Sequence, residues 1–110
     1  MWANYLTGGG KTIAVLDTGV DRLHPFLGGR VVEEACYSEG SDCPNGQRTQ
    51  TGTGSAAPCI YSARLCLHGT HVAGIAAGQG SDFSGVAPNA NIIGGPGLPP
   101  GDRDGLHRRI

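Results

Sequence analysis

Apolar residues in this chain gather into short blocks set between polar, glycine-rich stretches, and each block carries its own period. Lys11 to Asp17 (KTIAVLD) is a branched-chain run led by Gly8-Gly9-Gly10 and stopped by Thr18-Gly19, which predicts a buried parallel strand ending on a polar residue. Val31 to Cys36 (VVEEAC) predicts a second, more exposed strand. Tyr37 to Pro58, rich in Ser, Thr, Gly and Asn, predicts a long surface loop. From His68 to Gly80 (HGTHVAGIAAGQG), Val72, Ile75 and Ala76 share one face at helical spacing. A buried helix is expected to start near Gly69, despite the cost of Gly74 in its middle. Gly85 to Ile93 (GVAPNANII) reads as a turn feeding a further strand, Ala90 to Ile93. Strand, helix, strand is the order of an α/β fold with a parallel sheet and right-handed crossovers.

The end of the chain departs from this order. Gly94 to Ile110 (GGPGLPPGDRDGLHRRI) has no period of two or of 3.6, and its Pro and Gly oppose a helix. Residues 1–93 are therefore read as part of a folded domain. Residues 94–110 are read as an irregular tail, either a disordered linker or sequence out of frame with what precedes it.

Composition narrows the partners. Leu, Ile, Val and Phe make up about a fifth of the 110 residues, the lower edge for a packed globule. Eight Lys and Arg against nine Asp and Glu give a net charge of -1, which argues against a nucleic-acid surface. No apolar run approaches the roughly 20 residues that cross a bilayer, so no membrane partner is expected. Met1 to Gly10 lacks the basic and apolar regions of a signal peptide.

Cys36, Cys43, Cys59 and Cys66 form two equally spaced pairs. Three connectivities are possible, and the turn formers Gly40, Pro44, Asn45 and Gly46 favour the local bridges 36 to 43 and 59 to 66. Oxidised cysteines would imply a secreted or otherwise extracytoplasmic protein. A metal site of Cys66, His68 and His71 is the rival, and the gaps do not fit the knuckles of structural zinc.

Two positions invite a chemical role. Asp17 stands where an apolar strand runs out, and reacting groups collect at the carboxyl ends of strands in parallel sheets; the plainer role is to cap the next turn. His68 falls at the helix start, where the dipole favours a neutral imidazole able to accept a proton. His71, one turn on beside Val72 and Ile75, is expected to be a packed, hydrogen-bonded histidine.

Taken together, Ile13 to Val20 (IAVLDTGV), His24-Pro25, His68 to Gly74 (HGTHVAG) and Gly85 to Ala90 (GVAPNA) followed by Ile92-Ile93 closely resemble the subtilisin-like serine peptidases. The resemblance covers about Trp2 to Ile93 and treats the cysteine loop as an insertion. It implies that the fold is the first part of a parallel-sheet peptidase domain, monomeric when complete, acting on protein or peptide substrates. It further implies that Asp17 orients the histidine, that His68 is the general base, and that His71 is not catalytic.

The resemblance also marks what these residues lack. The family's nucleophile stands in a Gly-Thr-Ser-Met-Ala-like string with an oxyanion-binding asparagine before it, and neither is found here. Ser38, Ser41, Ser55, Ser62, Ser81 and Ser84 include none in a nucleophile elbow. Gly52-Thr53-Gly54-Ser55-Ala56 imitates one in a loop expected to be too flexible for attack. Phe26 follows His24-Pro25 where many members carry a calcium-ligating aspartate, so structural calcium is unsupported, and the chemistry itself needs no cofactor. Two alternatives belong to other classes. One is a non-enzymatic, disulfide-bearing secreted binding module; the other is metal-dependent hydrolysis through His68 and His71, which lacks the usual helical zinc spacing.

Overall fold

Strand β1, Thr12–Asp17, is launched by a turn in which the Lys11 amide donates to the Gly8 carbonyl at 2.9 Å. The strand is not the buried one that its branched-chain run predicts: it stands at the margin of the described sheet, paired on one side only, with Val15 buried and Leu16 exposed in the alternation a sheet strand imposes. The structure is a computed structural model and describes residues 6–60 and 62–96. A 3₁₀ turn, Pro25–Leu27, leads into β2, Val31–Tyr37. Then come β3, Thr49–Thr51, the one-turn helix α1, Ala63–Cys66, the helix α2, His68–Ala77, and β4, Asn91–Pro96.

The sheet order is β1-β4-β2-β3. β4 lies parallel to both β1 and β2, and β3 runs antiparallel on β2. This is the mostly parallel α/β architecture expected, with α2 packed against β1. The core joins Val15, Val20, Leu27, Ala73, Ala77, Ala90 and Ile92. Arg30 ties the layers together by donating to the carbonyls of Ala77, at the end of α2, and Ala90, just before β4. Burial lowers its guanidinium pKa below the usual value.

Three further details differ from the sequence reading. The last strand does not break after Ile93; it runs on through Gly94 and Gly95 to Pro96 and pairs Gly94 with Val15 and Gly95 with Leu16. Glycine here permits close approach: a Cβ on Gly94 would lie 3.2 Å from that of Ala56, and one on Gly95 would lie 3.0 Å from the Ala35 carbonyl oxygen. Of the tail predicted over 94–110, residues 97–110 lie outside the described residues.

Secondly, the stretch 37–58 is not all surface loop. It contains β3, whose Thr49, Gln50 and Thr51 face Tyr37, Cys36 and Ala35, and it buries Ser55 and Ala56 completely. The Cys36–Cys43 bridge lies within this return of the chain onto β2.

Thirdly, α2 ends at Ala77, and its buried face is Gly69, Ala73, Gly74 and Ala77, not the side bearing Ile75. The helix sits so close to its neighbours that only small residues fit. Gly74 and Gly78 lie against the Phe26 ring, and a Cβ on Gly78 would overlap it. Ile75 is 64% exposed.

Candidate active site

The turn after β1 holds the first reacting group. Thr18 and Gly19 are both buried, and the Thr18 amide donates to Asp17 Oδ1 at 2.7 Å, so the carboxylate is fixed by its own turn. Gly19 takes φ 113°, which glycine adopts without strain, and a Cβ there would lie 2.6 Å from the Ala57 carbonyl oxygen. Space and backbone both require glycine after Asp17-Thr18.

The start of α2 is sewn to this turn. The Gly69 amide donates to Thr18 Oγ1 at 3.1 Å, and the Asp21 amide donates to Thr70 Oγ1 at 2.9 Å. Gly69 rests against the Gly19 carbonyl, where any side chain would collide. The threonine and glycine of the His68-Gly69-Thr70 string thus have structural work of their own, and the consequence is to set His68 opposite Asp17.

His68 Nδ1 lies 2.9 Å from both Asp17 Oδ1 and Asp17 Oδ2. The residues are 51 positions apart in sequence and are brought together by the parallel packing of strand end and helix start. The Asp17 side chain is 12% exposed and that of His68 is 61% exposed. A sheltered carboxylate that accepts Nδ1–H leaves Nε2 as the nitrogen able to take a proton from a reacting group. It would also stabilise the imidazolium that results.

The other residues singled out from sequence lie elsewhere. His71 is exposed, not packed, because the helix turns its small-residue face inward. It lines an apolar cavity of about 680 Å³ with Phe26, Leu67, Ile75, Phe83 and Val86. Phe26 meets Phe83 in a tilted ring contact at a centroid distance of 5.3 Å, and the His24 imidazole accepts from the Phe26 amide as the cap of the 3₁₀ turn. Ser55 is fully buried and donates to the Gly52 carbonyl at 2.6 Å; it lies inside the fold and not on an open surface loop, with its hydroxyl committed inward. The cysteines pair as 36 with 43 and 59 with 66, at S–S distances of 2.12 and 2.03 Å. Among the described residues no three of His, Cys, Asp and Glu converge as a metal-ligand group.

Glu34 is the polar residue that sequence reasoning passed over. It sits in β2 with its side chain 4% exposed, accepting from the backbone amides of Gly54 and Ala56. The available signal was the Val-Val-Glu-Glu pattern, in which one of two adjacent glutamates must face the sheet interior.

Comparison with known proteins shows the family of the chain. The profile of the subtilase family, Peptidase S8, matches residues 8–105. The chain is 36% identical over 87 residues to a thermophilic serine proteinase of Bacillus sp. (strain AK1), covering 76% of this chain and 17% of that protein. It is 36% identical over 89 residues to thermitase of Thermoactinomyces vulgaris, covering 78% of this chain and 25% of thermitase. It is 33% identical over 95 residues to the major intracellular serine protease of Bacillus subtilis (strain 168), covering 84% and 25% respectively. The chain thus spans between about a sixth and a quarter of the length of these relatives.

Proposed function

Because this chain belongs to the subtilase family, we propose that it is the amino-terminal portion of a serine endopeptidase, carrying two members of the catalytic triad. His68 is the general base and Asp17 the carboxylate that orients it. The observation that supports this reading is the approach of His68 Nδ1 to both Asp17 oxygens at 2.9 Å, with an otherwise exposed imidazole.

In the complete enzyme a serine hydroxyl attacks the scissile carbonyl while His68 Nε2 takes its proton. The same nitrogen then returns the proton to the leaving amine, and Asp17 holds the ring in the Nδ1–H tautomer throughout. The nucleophile and the oxyanion donors belong to sequence beyond these residues, so the 110-residue polypeptide by itself hydrolyses no peptide bond at a measurable rate. The chemistry requires no metal, calcium is not called for by the residue at Phe26, and the substrates are proteins or peptides. Export to an oxidising compartment accounts for two closed disulfides. A purely binding role is the weaker reading, since binding alone gives no reason for a carboxylate to be aligned on an exposed imidazole.

A serine-directed fluorophosphonate tests this assignment. The isolated 110-residue chain is expected to remain unlabelled, and joining it to a downstream segment bearing a Gly-Thr-Ser string is expected to produce labelling that depends on His68. Stoichiometric labelling of any of the six serines in the isolated chain would overturn it.

A further inference from the structure

Glu34 is a buried carboxylate with no part in proton transfer, and its partners show what it holds. Oε2 accepts from the Gly54 amide at 2.9 Å and Oε1 from the Ala56 amide at 3.2 Å, with Arg22 Nε 3.7 Å from Oε2. Amides bonded to a charged acceptor are held about twice as strongly as those on a neutral one, and they offset the cost of burying the charge. The segment they fix contains Gly52 and Gly54 at φ 91° and 93°, positions that would otherwise sample many conformers.

The same segment lies across the turn that carries the site. The Val20 amide donates to the Ala56 carbonyl at 2.7 Å, and the Cys59 amide donates to the Thr18 carbonyl at 3.2 Å. Ala57 and Pro58 press on Gly19, leaving no room for a side chain. Beyond Cys59 the chain is bonded through Cys66 to α1, which passes through Leu67 into α2 and His68. The circuit closes where the Gly69 amide meets Thr18 Oγ1. The strand end bearing Asp17 and the helix start bearing His68 are therefore joined twice, once directly and once through residues 52–59 and the Cys59–Cys66 bridge.

We propose that Glu34 and the Cys59–Cys66 bridge are positioning residues of the Asp17–His68 pair, holding residues 52–59 as a clamp that fixes the carboxylate on Nδ1 and so selects the imidazole tautomer. The inference rests on the reading of Asp17 and His68 as a catalytic pair. Neither Glu34 nor the bridge touches a reacting atom. Their effect is on alignment, where a displacement of about 1 Å costs on the order of a hundredfold in rate. The Cys36–Cys43 bridge has the same sequence separation but joins the end of β2 to the loop before β3, and it serves as the internal control.

The test uses the 110-residue chain labelled with ¹⁵N, with the His68 tautomer read from its ring-nitrogen shifts at a pH where the imidazole is neutral. The wild-type ring is expected to be mainly Nδ1–H, and D17N to lose that preference. C59A/C66A and E34Q are each expected to lower the ratio of Nδ1–H to Nε2–H by roughly fivefold or more, while C36A/C43A stays within about 1.5-fold of wild type. Wild-type ratios in both C59A/C66A and E34Q, with D17N altered, would overturn the clamp and leave the catalytic pair standing. A wild-type ring indifferent to D17N would overturn the pair and the clamp with it. Should far-UV circular dichroism show C59A/C66A unfolded, E34Q decides alone, and an unchanged tautomer in that variant overturns the proposal.

Discussion

The two disulfides of this chain span the same number of residues and are placed in entirely different surroundings. Cys36–Cys43 closes a loop at the sheet margin, where Gly46 takes φ 75° with no heavy atom within 4 Å of where a Cβ would stand. Cys59–Cys66 closes a loop whose first residue donates its amide to the Thr18 carbonyl, directly after Ala57 and Pro58, which lie against Gly19. A cross-link restricts the unfolded chain by an amount set mainly by loop length, so the two should restrict it equally. What differs is the folded side: one loop constrains itself, and the other constrains its neighbours.

The sharpest way to break this contrast is to add one methyl group in each region. G69A forces a Cβ into the Gly19 carbonyl and is expected to destabilise the chain by about 3 kcal/mol or more, because backbone on both sides must move. G46A has open space and carries only the strain of positive φ, about 1 kcal/mol. Denaturant midpoints of the two variants measure the difference, and equal losses would mean that the corner at Asp17 is no more closely packed than the margin.

Removing the bridges gives a smaller contrast. C36A/C43A is expected to cost about 2 to 3 kcal/mol, the loop-closure value for this length, and C59A/C66A the same amount plus the loosening of the Thr18 turn. Calorimetric melting of both variants reads the excess. The smallest effect belongs to the exposed side of α2: I75T is expected to shift stability by no more than about 0.5 kcal/mol, since Ile75 already faces out. A larger loss in the same melts would show that the cavity beside Phe83 contributes to folding in its own right.

Much of this corner was legible in the sequence because its requirements are local. Asp17-Thr18-Gly19 and His68-Gly69-Thr70 each need those residue types for a turn, a hydroxyl bridge or a close approach, and a linear string displays them. The placement of β1 and the local cysteine pairing were readable for the same reason. Features set by contacts between distant segments were hidden. Gly94 and Gly95 look like strand breakers until Ala56, Val20 and Ala35 are seen against them. Ile75 fits an inward helical period, yet Phe26 and the tight fit of Gly69 on Gly19 rotate the small residues inward instead. Ser55 looks like part of a mobile loop because nothing nearby announces the carboxylate of Glu34, which anchors the amides on either side of it.

The register of the sheet has a consequence for biosynthesis. Thr12 pairs with Asn91 and Leu16 with Gly95, so β1, made before β4, must wait for β4 before it can gain this neighbour. Contacts this distant in sequence form slowly, and until they form an apolar ribbon stands open to other chains. The sheet beneath Asp17 is therefore complete only after β4 has been made, and a slower arrival of β4 lengthens the time for which β1 lacks its partner.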